Sequence, residues 1–286
     1  MRNNEERLGA LNQGESPPVQ QPQPPSQPEQ TLQFVTPTEF VELPSKGEFY
    51  SDGHPLYNKD TIEIRYMTAK DEDILTSRAL LKKGIAIDRF LQNIIVDKSI
   101  RVENLLIGDK NAILVAARIT GYGPEYNAKI VCPSCNEHTG FDFNLEECGV
   151  ISCGDYEKHN VQLTENKTFI AYLEKTNASV EVKLLTSKDE MDLLHLMESR
   201  RRKKLPESIL TDQLHKMIVS VNGNDSREYI NMFIEHMPAI DSRKLRTTYQ
   251  QIIPNVDMSH EFVCSECNYE GEVDVPFGTN FFWPKQ

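Results

Sequence analysis

Ile130-Val131-Cys132-Pro133-Ser134-Cys135-Asn136 and Phe262-Val263-Cys264-Ser265-Glu266-Cys267-Asn268 lie far apart in the chain and look alike. Both run on into an apolar–Asp–apolar step, Phe141-Asp142-Phe143 and Val273-Asp274-Val275. Each reads as a strand, a Cys-x-x-Cys turn and a returning strand. Such a turn puts two thiolates on one side, close enough to share a tetrahedral zinc, and two turns supply four sulfur ligands. The pattern predicts one four-cysteine zinc ribbon, Cys132, Cys135, Cys264 and Cys267, split by a long insertion.

The spacing leaves other arrangements open. Zinc ribbons usually separate their cysteine pairs by about 15–20 residues, whereas more than a hundred lie between these two. A local site of Cys132, Cys135, Cys148 and Cys153 also has workable spacing, but it leaves Cys264 and Cys267 without a role. His138 follows Cys135 closely enough to replace a thiolate, although the second stretch carries Glu270 at the equivalent place. The plain reading is a set of buried free thiols in a reducing compartment. On the split-ribbon reading, Cys148 and Cys153 are spare.

Composition narrows the classes. The chain has 286 residues, enough for one large domain or two smaller ones. A net charge of −12 argues against a general nucleic-acid-binding surface. No apolar run reaches the length of a membrane span. Met1-Arg2-Asn3-Asn4-Glu5-Glu6-Arg7 is polar and leads into no apolar core, so it does not read as a signal peptide. Six cysteines, four of them in Cys-x-x-Cys pairs, suit a cytosolic metal protein better than a disulfide framework.

Residues 1–31 offer almost nothing to a core, and Ser16 to Gln30 is Pro/Gln-rich. Burial there cannot offset ordering entropy, so the segment reads as a disordered tail, with a tether or proline-motif ligand as the functional alternative. Order is expected from Gln33-Phe34-Val35. Pro44 and Gly47 punctuate a turn followed by the aromatics Phe49, Tyr50 and Tyr57, which form either an exposed contact surface or part of the core. Ile62, Ile64 and Tyr66 alternate with charged residues as in a half-buried strand. Thr68 with Asp71 is an N-cap pattern, and three helices follow as far as Gly121 and Gly123. The last of these carries Ile113, Leu114, Ala117 and Arg118, with Asp109 as its cap.

Here the residues reach a resemblance. Leu43-Pro44-Ser45-Lys46-Gly47-Glu48-Phe49-Tyr50, then Ile64-Arg65-Tyr66-Met67-Thr68-Ala69-Lys70-Asp71-Glu72-Asp73-Ile74-Leu75, then helices and a Cys-x-x-Cys turn, resemble a family of tailed-phage proteins. The likeness is to T4-type baseplate proteins, the small hub subunits and hub-assembly factors of contractile tails. It implies a structural or chaperone-like role in building the central hub beneath the tail tube, with other hub and tail proteins as partners. It further implies assembly in the cytoplasm of an infected bacterium, a possible place in the virion tail, and no catalytic residues. The Pro/Gln-rich tail is not part of the pattern, and the oligomeric state stays open.

Between the cysteine turns, Phe169, Ala171 and Leu173 oppose Ile170 and Tyr172, and Val180, Val182 and Leu184 alternate with Glu181 and Lys183. These two segments predict an antiparallel hairpin. Ser187-Lys188-Asp189-Glu190 is a capping-box pattern, and its helix ends in Arg200-Arg201-Arg202-Lys203-Lys204. Cations suit a helix C-terminus, which outweighs an RNA-binding reading. Further helices are expected from Pro206 through Ile218 to Val221, from Ser226, and from Asp241 to Ile253.

The expected fold class is α+β, with a predominantly helical body, a split four-cysteine zinc ribbon and a small β-hairpin. The expected division is a disordered tail (1–31), a strand-and-helix domain (32–126) and the first half of the ribbon (127–147). An inserted hairpin-plus-helices domain (148–257) and the second ribbon half with a C-terminal tail (258–286) follow. No nucleophile elbow, phosphate-cradling glycine loop or His-Glu-x-x-His helix occurs. His195 and His215 read as helix-face residues, and Asp71, Glu72 and Asp73 as first-turn carboxylates. A non-enzymatic assembly protein with a structural zinc leads. A zinc-ribbon adaptor of phage transcription or replication is the alternative. A metalloenzyme is weakest, because four cysteines leave zinc no open position.

Overall fold

In the computed structural model, which describes residues 35–153, 156–277 and 281–282, the alternating segment around Ile62 and Ile64 is a strand. The Pro/Gln-rich tail, and the start of order expected at Gln33 and Phe34, lie outside the described residues. Strand β1 (Thr38–Glu42) pairs antiparallel with β2 (Thr61–Arg65), with Val41 opposite Ile62. Helices α1 (Ala69–Thr76), α2 (Arg78–Lys82), α3 (Ala86–Ile94) and α4 (Ile107–Tyr122) follow. The first cysteine turn then joins β3 (Glu125–Val131) to β4 (His138–Asn144), and a short strand β5 (Val150–Ile151) comes next.

The second stretch begins with β6 (Val161–Leu163), β7 (Phe169–Leu173) and β8 (Ala178–Val182). Helices α5 (Ser187–Arg202) and α6 (Ile209–Met217) lead to β9 (Ile218–Val221), which completes a four-stranded sheet in the order β6-β7-β8-β9. Then come α7 (Arg227–His236), α8 (Ala239–Ile252) and β10 (Asn255–Val256), which pairs with β5. The second cysteine turn joins β11 (Ser259–Val263) to β12 (Glu270–Asp274). Among the described residues no helix is long and apolar enough to cross a membrane.

The chain folds one plan twice. Hairpin β1-β2 leaves through Arg65-x-x-Thr68-x-Lys70-Asp71-Glu72, and hairpin β7-β8 leaves through Lys183-x-x-Thr186-x-Lys188-Asp189-Glu190. Thr68 and Thr186 are the N-caps of α1 and α5. Asp71 and Asp189 reach back to the cap N–H groups at 2.9 and 3.1 Å. Arg65 and Lys183 pair with those same aspartates at 2.7 and 2.8 Å. Ile95, just past α3, bridges Ile64 as Ile218, just past α6, pairs with Val182. Each half then closes with a long helix and a cysteine hairpin.

The long helices grip their own half's first hairpin. Asp109, fully buried in the first turn of α4, accepts Ser45 N–H at 3.0 Å, Ser45 O–H at 2.6 Å and Tyr50 O–H at 2.7 Å. Asp241, buried in the first turn of α8, accepts Thr176 N–H at 2.8 Å. These carboxylates bind loop donors as well as lying at a positive helix end. Tyr50 therefore belongs to the core and is not a contact surface. Gly47 turns that loop at φ 71°, where a Cβ would meet Leu56 O and Lys59 N at 2.4 Å.

The expectation of a predominantly helical body is wrong. Eight α-helices share the described residues with twelve strands in five small sheets, 40% helical and 24% strand, so the fold is mixed α+β. Strands β1, β5 and β10 add to the sheet content, and three further differences have a physical reason. Ile218 to Val221 continues an apolar helical spacing from Met217, but it is strand β9, held by backbone bonds to β8. That β-branched run is compatible with either period, and only its distant partner decides. The small hairpin is the centre of the four-stranded sheet, because β6 covers its outer edge. The first predicted helix breaks at Ser77, whose extended ψ of 107° separates α1 from α2.

Candidate metal centre

Each cysteine turn is built the same way. Cys132 N–H donates to Glu137 O at 2.9 Å, and Asn136 N–H donates to Cys132 O at 3.0 Å. Cys264 N–H donates to Tyr269 O at 2.9 Å, and Asn268 N–H donates to Cys264 O at 3.0 Å. Asn136 and Asn268 both take the left-handed conformation, at φ 59° and 55°. Asparagine tolerates that region better than other non-glycine residues, which explains its place after each second cysteine.

The two turns face each other. Cys132 Sγ lies 3.7 Å from Cys267 Sγ, and Cys135 Sγ lies 3.8 Å from Cys264 Sγ. All four sulfurs lie within 4.8 Å of one another. These separations are far beyond a disulfide bond of about 2.05 Å. Four sulfurs at the corners of a tetrahedron, each about 2.3 Å from a central ion, stand about 3.8 Å apart. The donor set and its spacing are thus compatible with a four-coordinate metal. Cys132 and Cys264 are buried, Cys135 is half-buried and Cys267 is exposed.

The turns also bias which thiol ionises. Burial opposes the Cys132 thiolate, but N–H groups of Cys135 and Ser134 and the neighbouring thiols outweigh it and bring Cys132 down to about 7. At Cys135 the Glu137 N–H favours the thiolate, yet burial and the surrounding sulfurs push the thiol up to about 12. Within the first turn, Cys132 is therefore the thiol whose charged form is favoured and Cys135 the one whose charged form is opposed.

Packing around the hairpins holds the turns in register. Phe141 meets Phe262 edge-on at 5.6 Å, and Phe143 meets the His260 ring edge-on at 5.2 Å. His260 Nε2 lies 3.0 Å from Asn144 O, which ties β11 to the end of β4. Fully buried Arg118 donates to Phe281 O at 2.7 Å, Gly123 O at 2.7 Å and Glu125 O at 2.9 Å. It joins α4, the root of the first hairpin and the chain beyond the second. Its place in the apolar helix pattern is correct, but the three bonds are invisible in the sequence because their acceptors are backbone atoms brought in by the fold.

The remaining candidates stand apart. Cys148 and Cys153 are half-buried, lie outside the four-sulfur group, and are pushed up to about 11 by burial and nearby carboxylates. His138 is exposed at the start of β4, opposite Val131, and is not among the clustered donors. Arg200 pairs with Asp212 at 2.9 Å and Arg202 with Glu198 at 3.0 Å, so part of the basic run is spent on α5 and α6. The paired Thr-x-x-Asp caps carried a second repeat signal beside the cysteines, and it points to the duplicated plan.

A family model described as T4 bacteriophage base plate protein matches residues 36–283. No curated protein and no solved structure matches the chain.

Proposed function

Because the chain belongs to the T4 bacteriophage base plate protein family, we propose that it is a structural or chaperone-like component of the baseplate hub of a contractile tail, clamped by a structural zinc. The observation that supports the clamp is the meeting of Cys132, Cys135, Cys264 and Cys267 from two hairpins with sulfur separations of 3.7 and 3.8 Å. Thiolate-only, four-coordinate sites are the structural class of zinc site, with no ligand position left for chemistry. Zinc supplies the counter-charge that lets all four thiols ionise together. Cys132 and Cys135 hold it from one hairpin, and Cys264 and Cys267 from the other.

The family supports a structural role among other baseplate proteins. Hub placement, assembly in the host cytoplasm and retention in the virion are the finer parts of the reading. Mass spectrometry of purified virions and of baseplate assembly intermediates, with cross-linking to hub and wedge proteins, tests them. Cross-links to hub proteins are the expected result. Cross-links confined to peripheral wedge proteins would overturn hub placement, and presence in intermediates but not virions would identify an assembly factor.

A further inference from the structure

The duplicated plan makes one edge conspicuous. In the second half, β7 has β8 on one side and β6 on the other. In the first half, β1 has β2 on one side and no strand on the other among the described residues. The halves align residue by residue. Glu39 faces Ile64 as Phe169 faces Val182, so Glu39, Phe40 and Val41 correspond to Phe169, Ile170 and Ala171.

Hydrogen-bond direction shows which groups are open. Leu43 N–H donates to Asp60 O, and Tyr66 N–H donates to Pro37 O. The odd-numbered residues of β1 therefore bond to β2, and Thr38, Phe40 and Glu42 turn their N–H and C=O groups outward. Among the described residues these outward N–H groups have no backbone partner. Phe40 is 71% exposed at the middle of the edge. The edge carries no lysine, proline or bulge within Thr38–Glu42, and the charges that guard it against indiscriminate pairing are two carboxylates, Glu39 and Glu42.

We propose that the outer edge of β1 is a strand-addition site for an extended segment of a partner polypeptide, alternately apolar and carrying a basic residue. The template is β6 itself, whose Val161 sits opposite Ala171 and is buried while Gln162 is exposed. An incoming strand in the same register places an apolar residue opposite Val41 and its next inward residue opposite Glu39. Charge selects that residue. Glu39 Oε1 is buried without a hydrogen-bond partner, and Glu42 is exposed along the same edge. A lysine or arginine opposite Glu39 supplies the missing donor.

Charge and turn geometry disfavour the other occupants. Pairing β1 with a second copy would bring together two chains each carrying a net −12, and with Phe40 facing Phe40 it would set Val41 opposite Glu39 and leave that carboxylate without a donor. The tight return from β6 to β7 needs Lys167 at φ 61°, and the equivalent residue is Pro37, whose ring holds φ near about −65°. The residues just before β1 therefore cannot repeat that hairpin. The inference does not depend on the metal or on hub placement.

The test uses the full chain alone and in baseplate assembly intermediates. Hydrogen exchange should be fast at Thr38, Phe40 and Glu42 in the isolated chain and slowed at least about 100-fold in the assembly. Phe40→Pro removes an outward N–H while sparing the ladder to β2. It should keep its thermal midpoint but fail to incorporate, whereas Phe40→Thr incorporates. Incorporation of Phe40→Pro at the native level, or unchanged exchange in the assembly, overturns the proposal. Protection already present in the isolated chain also overturns it: loss on deleting residues 1–34 assigns the edge to the chain's own tail, and loss on dilution assigns it to a second copy. If Phe40→Pro does not fold, the exchange measurement on the native chain decides.

Discussion

Cys132 and Cys267 hold their sulfurs 3.7 Å apart although 135 residues separate them in the chain. Cys135 and Cys264 repeat the relationship at 3.8 Å across 129 residues. The first cysteine of each turn thus meets the second of the other, as two copies of one hairpin do when they face each other.

On the proposed zinc site, this cross-pairing predicts that the two turns contribute equally. Cys132→Ser and Cys264→Ser should each abolish a stoichiometry of one zinc per chain, while Cys148→Ser and Cys153→Ser keep it. Structural zinc contributes on the order of 10 kcal/mol in small zinc domains. The loss here should be smaller, because an extensive apolar core surrounds the site. Metal analysis and urea unfolding of the four variants measure both quantities. Zinc kept without Cys264 and lost without Cys148 would discard the split site.

Asp71 should make the first half sensitive to acid. Burial works against its charge, but Arg65, Thr68 and Asn93 outweigh it and hold the carboxyl down at about 2, against an ordinary value of 3.8. A depressed folded value means stability that is fully present above pH 3.8 and lost as pH falls towards about 2. Asp71→Asn should cost about 2 kcal/mol at pH 7, and its difference from the native chain should shrink below pH 4. Urea titrations across that range test this. A difference independent of pH would locate the effect in packing.

Tyr50→Phe removes a hydroxyl that donates to Asp109 at 2.7 Å and accepts Leu106 N–H at 3.1 Å. Both partners are buried. The expected loss is about 2–3 kcal/mol in urea unfolding, with no change in association with other baseplate proteins. Weakened association at unchanged stability would return Tyr50 to the surface.

Arg118→Lys keeps the charge but cannot reach Phe281, Gly123 and Glu125 carbonyls in the same planar fork. A loss of about 3 kcal/mol is expected, because buried acceptors and part of a buried charge go unpaired. Near-native stability would mean that water replaces the lost donors.

Local chemistry made much of the chain legible. The two cysteine turns, their flanking strands and the asparagine after each are set by short-range bonds, such as Asn136 N–H to Cys132 O. The cap Thr68-x-x-Asp71 was readable for the same reason, and its partner was misplaced by one residue, at Ser187 instead of Thr186. The family resemblance rests on the Leu43-to-Tyr50 turn and the Met67-to-Asp73 segment more than on the cysteines. Tertiary structure alone decided that Ile218–Val221 is a strand, since its period fits either state and β8 supplies the bonds. It alone buried Tyr50, because Asp109 approaches from a helix far along the chain. It also left β1 with one open edge, because pairing depends on which strands the rest of the fold brings alongside and not on the residues of β1.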